Sequence, residues 1–150
     1  MTSYQFKFNK ILTVKEREKD EALAIYQDSV KKFKEAADHL YKLLKKKEDL
    51  QDFQSEQLRQ GFSIHEVRHY QQFLTNIEKT ISYYQELVIN ARNRMNWNEQ
   101  NLQEKNIEVK KYEKIREKDF MQYQELVNDI ETKRLDEIST MQYSFREGIR

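Results

Sequence analysis

The residues with most chemical potential in this 150-residue chain are His65-Glu66-Val67-Arg68-His69, which spell H-E-x-x-H. On a helix, histidines at i and i+4 share a face and can hold zinc while the glutamate acts as general base. The only other histidine is His39. It falls about twenty residues down an opposing arm, roughly 30 Å away at 1.5 Å rise per residue, and does not complete the set. Glu66 also has a structural use. Ser63-Ile64-His65-Glu66 reads as a capping box, in which the serine oxygen caps a free backbone N–H and Glu66 reaches back to Ser63. The reading favoured is a pair of exposed histidines at a helix tip, with no catalytic residue, no metal and no cofactor.

Lys31-Lys32-Lys34 and Lys42-Lys45-Lys46-Lys47 could meet phosphates. Glu35, Asp38, Glu48 and Asp49 interleave with them, and Asp28/Lys32 and Asp38/Lys42 are ordinary i,i+4 pairs. A solvated helix face is expected, not a nucleic-acid site. Residues 1–61 carry 13 basic and 11 acidic groups within a chain total of 27 and 26, so no basic arm or acidic tail exists.

The elements that must position these residues follow from what the composition lacks. There are two glycines, no proline and no cysteine. Turn-rich sheets and α/β folds need more breakers than this. Phosphate loops, dinucleotide fingerprints and nucleophile elbows need clustered glycines. Disulfides, thiol nucleophiles and Cys-based metal sites are excluded. The longest apolar run, Ala22-Leu23-Ala24-Ile25-Tyr26, is far too short to span a bilayer. With no signal-peptide pattern at the N-terminus, a cytoplasmic protein is expected, at most peripheral to a membrane.

One break interrupts the chain, at Gly61-Phe62-Ser63. Gly61 suits a helix C-terminus and Ser63 the next N-cap. The fold expected is all-α: a long antiparallel two-helix coiled-coil hairpin with unequal arms, one domain over 1–150. Helix 1 is expected over about 4–60, the turn at 61–63 and helix 2 over about 64–147. In helix 2, Val67, Leu74, Ile81, Val88, Met95, Leu102 and Val109 repeat every seven residues. Tyr70, Ile77, Tyr84, Ala91 and Tyr112 lie three residues after members of that series. The phase then stutters and resumes at Phe120, Tyr123, Val127 and Ile130. In helix 1 the seam reads Leu23, Tyr26, Val30, Phe33, Ala37, Leu40 and Leu44, with Leu43, Leu50 and Phe53 one residue out of phase.

Folding about residue 62 opposes positions whose numbers add to about 124. Leu50 then meets Leu74, Leu43 meets Ile81, and Phe33 meets the small Ala91, so large faces small. Helix 1 is expected to run out opposite residue 116. Helix 2 continues alone with Phe120, Tyr123, Leu126, Val127, Ile130, Leu135, Ile138, Met141 and Phe145. A lone helix with an apolar stripe either frays or waits for a partner. Phe73, Tyr83 and Trp97 lie off the seam, and large flank aromatics are residue types that dominate interfaces.

Two blocks carry a resemblance. The opening Phe6-Lys7-Phe8-Asn9-Lys10-Ile11-Leu12-Thr13-Val14-Lys15-Glu16-Arg17-Glu18, and Tyr70-Gln71-Gln72-Phe73-Leu74 with Ile77-Glu78-Lys79 and Ile81, resemble the FliJ family of the bacterial flagellar type III export apparatus. The resemblance implies a non-enzymatic coiled coil, similar to the γ stalk of rotary ATPases. It implies binding to a FliI-like export ATPase, promotion of its ring assembly, linkage to a FlhA-like export gate, and a part in recycling export chaperones. It further implies a place on the cytoplasmic side of the cell membrane at the flagellar base. The gate contact would involve Phe73, Ile77, Tyr84, Leu43 and Leu50. The ATPase-ring contact would fall on the unpaired end, at Phe8, Phe120, Tyr123, Val127 and Ile130. A monomer or weak self-association is expected. The alternative reading is a generic tether that self-associates through the helix 2 overhang.

Overall fold

In a computed structural model, the described residues run from Ser3 to Ile149. Two long helices pack against each other as a hairpin: α1, Asn9–Gln60, and α2, Ile64–Ile149. No strand occurs among the described residues. Gly61 joins the helices at φ 94°, a left-handed conformation that suits glycine at a helix C-cap. The Ser63 Oγ then accepts the Glu66 N–H at 3.2 Å, and the Ser63 carbonyl accepts the Val67 N–H at 3.1 Å. Half-buried Phe62 and Val67 occupy the two positions of a hydrophobic staple around that cap.

The packing divides into two compact units. Within Asp20–Glu104, α2 buries Ile77, Ile81 and Asn98, and half-buries Tyr70, Leu74, Tyr84, Val88, Ala91, Met95 and Leu102. This is the seven-residue seam read from the sequence. The facing contacts have the expected register. Lys47 pairs with Glu78 at 3.4 Å, the His39 ring stacks on Tyr84 at 5.4 Å, and Arg92 lies over the Phe33 ring at 5.9 Å. The numbers in each pair add to about 124, as folding about residue 62 requires.

The α1 seam needs correction. Its inward line is Ala22, Tyr26, Ser29, Phe33, Ala36, Leu40, Leu43, Lys47 and Leu50, alternating four and three, with Val30 and Ala37, as expected, half-buried beside it. Leu23, Leu44 and Phe53, expected on the seam, are exposed. The reason is spacing: alternate steps of four and three set the inward line, and Leu23, Leu44 and Phe53 each fall one residue off it. Ser29 is buried because its hydroxyl is satisfied on its own helix, donating to the Tyr26 carbonyl at 2.6 Å.

The second unit joins residues up to Lys19 with Lys105 and beyond. Its core is Phe6, Leu12 and Val109, with Tyr4, Phe8, Tyr112 and Ile115 packed against it. Leu12, 1% exposed, is the best-buried large side chain described. Glu18 sits 3.6 Å from both Lys15 and Lys105, so the polar break in the α2 heptad is met by a carboxylate. The expectation that helix 1 opens at about residue 4 fails. Residues 3–6 are non-helical and 7–8 form a turn, closed by the Asn9 N–H on the Phe6 carbonyl at 3.2 Å. Tyr4, Phe6 and Phe8 alternate along this segment, so a period of two delivers them to one side.

Candidate functional site

These side chains lie along open helix faces, so the candidate sites are surfaces. The first lies at the unit holding the chain's ends. Tyr4 packs edge-on against Phe120 with ring centroids 5.1 Å apart and tilts against Tyr123 at 5.2 Å. Its hydroxyl donates to the Asp119 carboxylate at 2.8 Å. Partial burial, then the hydrogen bond to Asp119 and its negative charge, raise the Tyr4 phenol above its usual value. Phe8 meets Phe6 at 5.9 Å and Tyr112 at 6.4 Å, both edge to face. The α2 stripe is therefore not bare from residue 116, as its sequence implied. The N-terminal segment covers it as far as Tyr123, and Val127 is its last half-buried position.

From Asn128 to Gly148 every residue is exposed. Ile130, Ile138, Met141 and Phe145 continue the line of Val127 at helical spacing, with Leu126 and Leu135 on its borders. Met141 and Phe145 are each 71% exposed. Of the five ring-contact residues expected from the sequence, Phe8, Phe120 and Tyr123 thus have aromatic partners in this chain, Val127 stands at the margin, and Ile130 is open.

The second candidate surface lies in the 20–104 unit. Phe73 is 47% exposed, and the Lys46 ammonium lies 5.6 Å from its ring centre. Tyr84 is half-buried between the His39 ring and Tyr83, whose ring meets it edge-on at 5.5 Å. It lines a groove of about 410 Å³ with Ser29, Ala36, His39, Leu87 and Ala91, where the small residues leave space. Leu43 and Leu50 are half-buried in the seam. Ile77 is buried, so its side chain supports the surface from beneath instead of presenting itself. Tyr83 and Trp97 are exposed, as their flank positions imply. The groove around Tyr84 was not foreseen; the signal was the run of small residues at Ser29, Ala36 and Ala91.

His65 and His69 do share a face, with ring centroids 5.8 Å apart and planes 22° from parallel. No third His, Cys, Asp or Glu joins them in a metal-holding group among the described residues. No helix among those residues is long and apolar enough to cross a membrane.

A helical hairpin whose distinguishing features are exposed aromatic and aliphatic surfaces belongs to the class of coiled-coil assembly proteins. Comparison with known proteins narrows this. The sequence model of the FliJ family, described as flagellar FliJ protein, matches residues 4–148. The flagellar FliJ protein of Bacillus subtilis (strain 168) is 48% identical over 141 residues, covering 94% of this chain and 96% of that protein. No solved structure matches the chain. The chain belongs to the FliJ family and is a flagellar export component, serving flagellum biogenesis, protein export and motility.

Proposed function

We propose that this chain is a non-enzymatic, cytoplasmic, stalk-like subunit of the flagellar type III export apparatus. It binds a FliI-like ATPase, promotes ring assembly and couples the ring to a FlhA-like gate at the inner face of the cell membrane. Handling of export chaperones belongs to the same reading. The observation that carries the proposal is the fully exposed apolar stripe from Ile130 to Phe145, which continues a line covered only up to Val127. A helix end that keeps large apolar side chains in water is built to be covered by something else.

On this reading the ATPase contact combines Val127 and Ile130 with the aromatic cluster of Phe8, Phe120 and Tyr123. The gate contact centres on Phe73 and Tyr84, with Leu43, Leu50 and Ile77 shaping the helices beneath. The test is the hydrolysis rate and ring assembly of the same organism's export ATPase, with the full chain and with a truncation after residue 127. Stimulation by the full chain and not by the truncation supports the stalk. Equal stimulation by both moves the contact to the paired helices. A stable dimer that the truncation abolishes, with no effect on the ATPase, replaces the stalk by a self-associating tether.

A further inference from the structure

The histidine pair at the start of α2 has no part in the function proposed above, yet its two exposed rings lie side by side on one helix face, near enough to share an ion once they turn. We infer that His65 and His69 form a surface site for a divalent transition metal of tetrahedral preference, Zn²⁺ foremost. The argument begins with reach. A zinc–imidazole bond of about 2.1 Å places the ring centre about 3.2 Å from the metal, so two imidazoles at the tetrahedral angle have centres about 5.2 Å apart. The observed separation is 5.8 Å. A shift of about half an ångström closes the difference, and the side chains are free to make it. Both are exposed, and torsion about the Cβ–ring bond is broad, so the near-parallel rings can turn their nitrogen edges to one point.

The backbone that sets this spacing is anchored. The Ser63 cap holds the Glu66 and Val67 amides, which fixes the first turn of α2 and the relative placement of residues 65 and 69. The Ser63 hydroxyl engages the Glu66 amide and leaves both imidazoles uncommitted to the cap. With two protein ligands, water supplies the remaining positions, so the site is exchangeable and of modest affinity. Imidazole donors select Zn²⁺, Cu²⁺ and Ni²⁺ over Mg²⁺ and Ca²⁺, which prefer oxygen. Arg68 lies between the two histidines in sequence, and its charge opposes a cation there, which keeps the affinity moderate.

Both ligands reach one ion only while residues 65–69 are helical. Metal binding and helical order at the turn are therefore linked, and the ion stabilises the state that binds it. The consequence is a hairpin end whose rigidity depends on available zinc.

The test uses the full chain without an affinity tag, in a buffer that does not chelate metals. Zinc chloride is titrated by calorimetry and by thermal melting. The expected result is one ion per chain, a dissociation constant in the micromolar range, a rise in Tm of about 3–6 °C at saturation, and reversal by EDTA. His65→Gln and His69→Gln each lower the affinity at least tenfold, while His39→Gln leaves it unchanged. Circular dichroism before zinc is added establishes that all three variants are folded. No saturable binding up to 1 mM zinc overturns the inference. So does binding that either tip variant leaves intact, or that His39→Gln weakens as much.

Discussion

Residues 105–127 and residues 128–148 belong to the same helix and bear the same apolar line, but only the first stretch is covered. The cover begins as α1 around Leu12 and ends as six non-helical residues. Val109, Tyr112, Ile115, Phe120 and Tyr123 meet Leu12, Phe8, Phe6 and Tyr4. Beyond Val127 no described side chain reaches half-burial. There the helix rests on its own backbone bonds and on local supports such as the Thr140 hydroxyl on the Asp136 carbonyl at 2.9 Å. The difference separates two uses of one pattern. In the first stretch apolar residues hold the fold, and in the second they stay exposed.

The strongest way to break that contrast is to charge the anchor of the cover. Leu12→Asp puts a carboxylate in a site with no partner and is expected to cost about 3–4 kcal/mol. Urea unfolding followed by circular dichroism measures the loss, and an unchanged midpoint would mean that the cover contributes nothing to stability. Phe6→Ala is expected to cost about 3 kcal/mol through the cavity it leaves. Hydrogen exchange should then rise at residues 3–19 and 105–127, while residues 70–91 keep their protection. Acceleration spread evenly along both helices would erase the distinction between covered end and paired unit.

Alkaline titration sharpens the contrast at one bond. Partial burial and the Asp119 hydrogen bond raise the Tyr4 phenol above its unfolded value of about 10, so the folded state holds that proton more tightly. Its contribution to stability is complete below that unfolded value and is lost as pH climbs through the raised one. Absorbance at 295 nm, compared with Tyr4→Phe, should show one phenol ionising late. An ordinary midpoint for that phenol would remove the hydrogen bond from the account. The smallest expected effect is at the open end. Met141→Ser with Phe145→Ser should shift stability by no more than about 0.5 kcal/mol, because neither side chain is covered. A larger loss in thermal melting would mean that residues 128–148 take part in the fold.

Much of this architecture was legible in the residues. Gly61 and Ser63 marked the turn by their backbone chemistry, and the α2 heptad from Val67 to Val109 gave both the inward face and the register. The α1 seam was misread in part because hydrophobicity was followed where the four-three spacing decided. Ala22, Ser29 and Ala36 hold inward positions, while Leu23 and Leu44 are turned out. The start of α1 was misplaced because the alternation of Tyr4, Phe6 and Phe8, a mark of extended chain, was not weighed. The bare stripe was visible in outline, but its beginning was not, since no helical periodicity reveals a non-helical cover. The positions of Phe73 and Trp97 on the flanks were readable; the groove beside Tyr84 needed the facing small residues of both helices.

Burial of Asn98 bears on axial register. A uniform leucine seam could slide by one heptad, about 10 Å, and meet an equivalent set of contacts. In the 20–104 unit the small positions Ala22, Ser29 and Ala36 repeat every seven residues and would survive such a slip, but buried Asn98 would be carried to a different layer. That one buried amide marks a single axial position for the two helices of that unit.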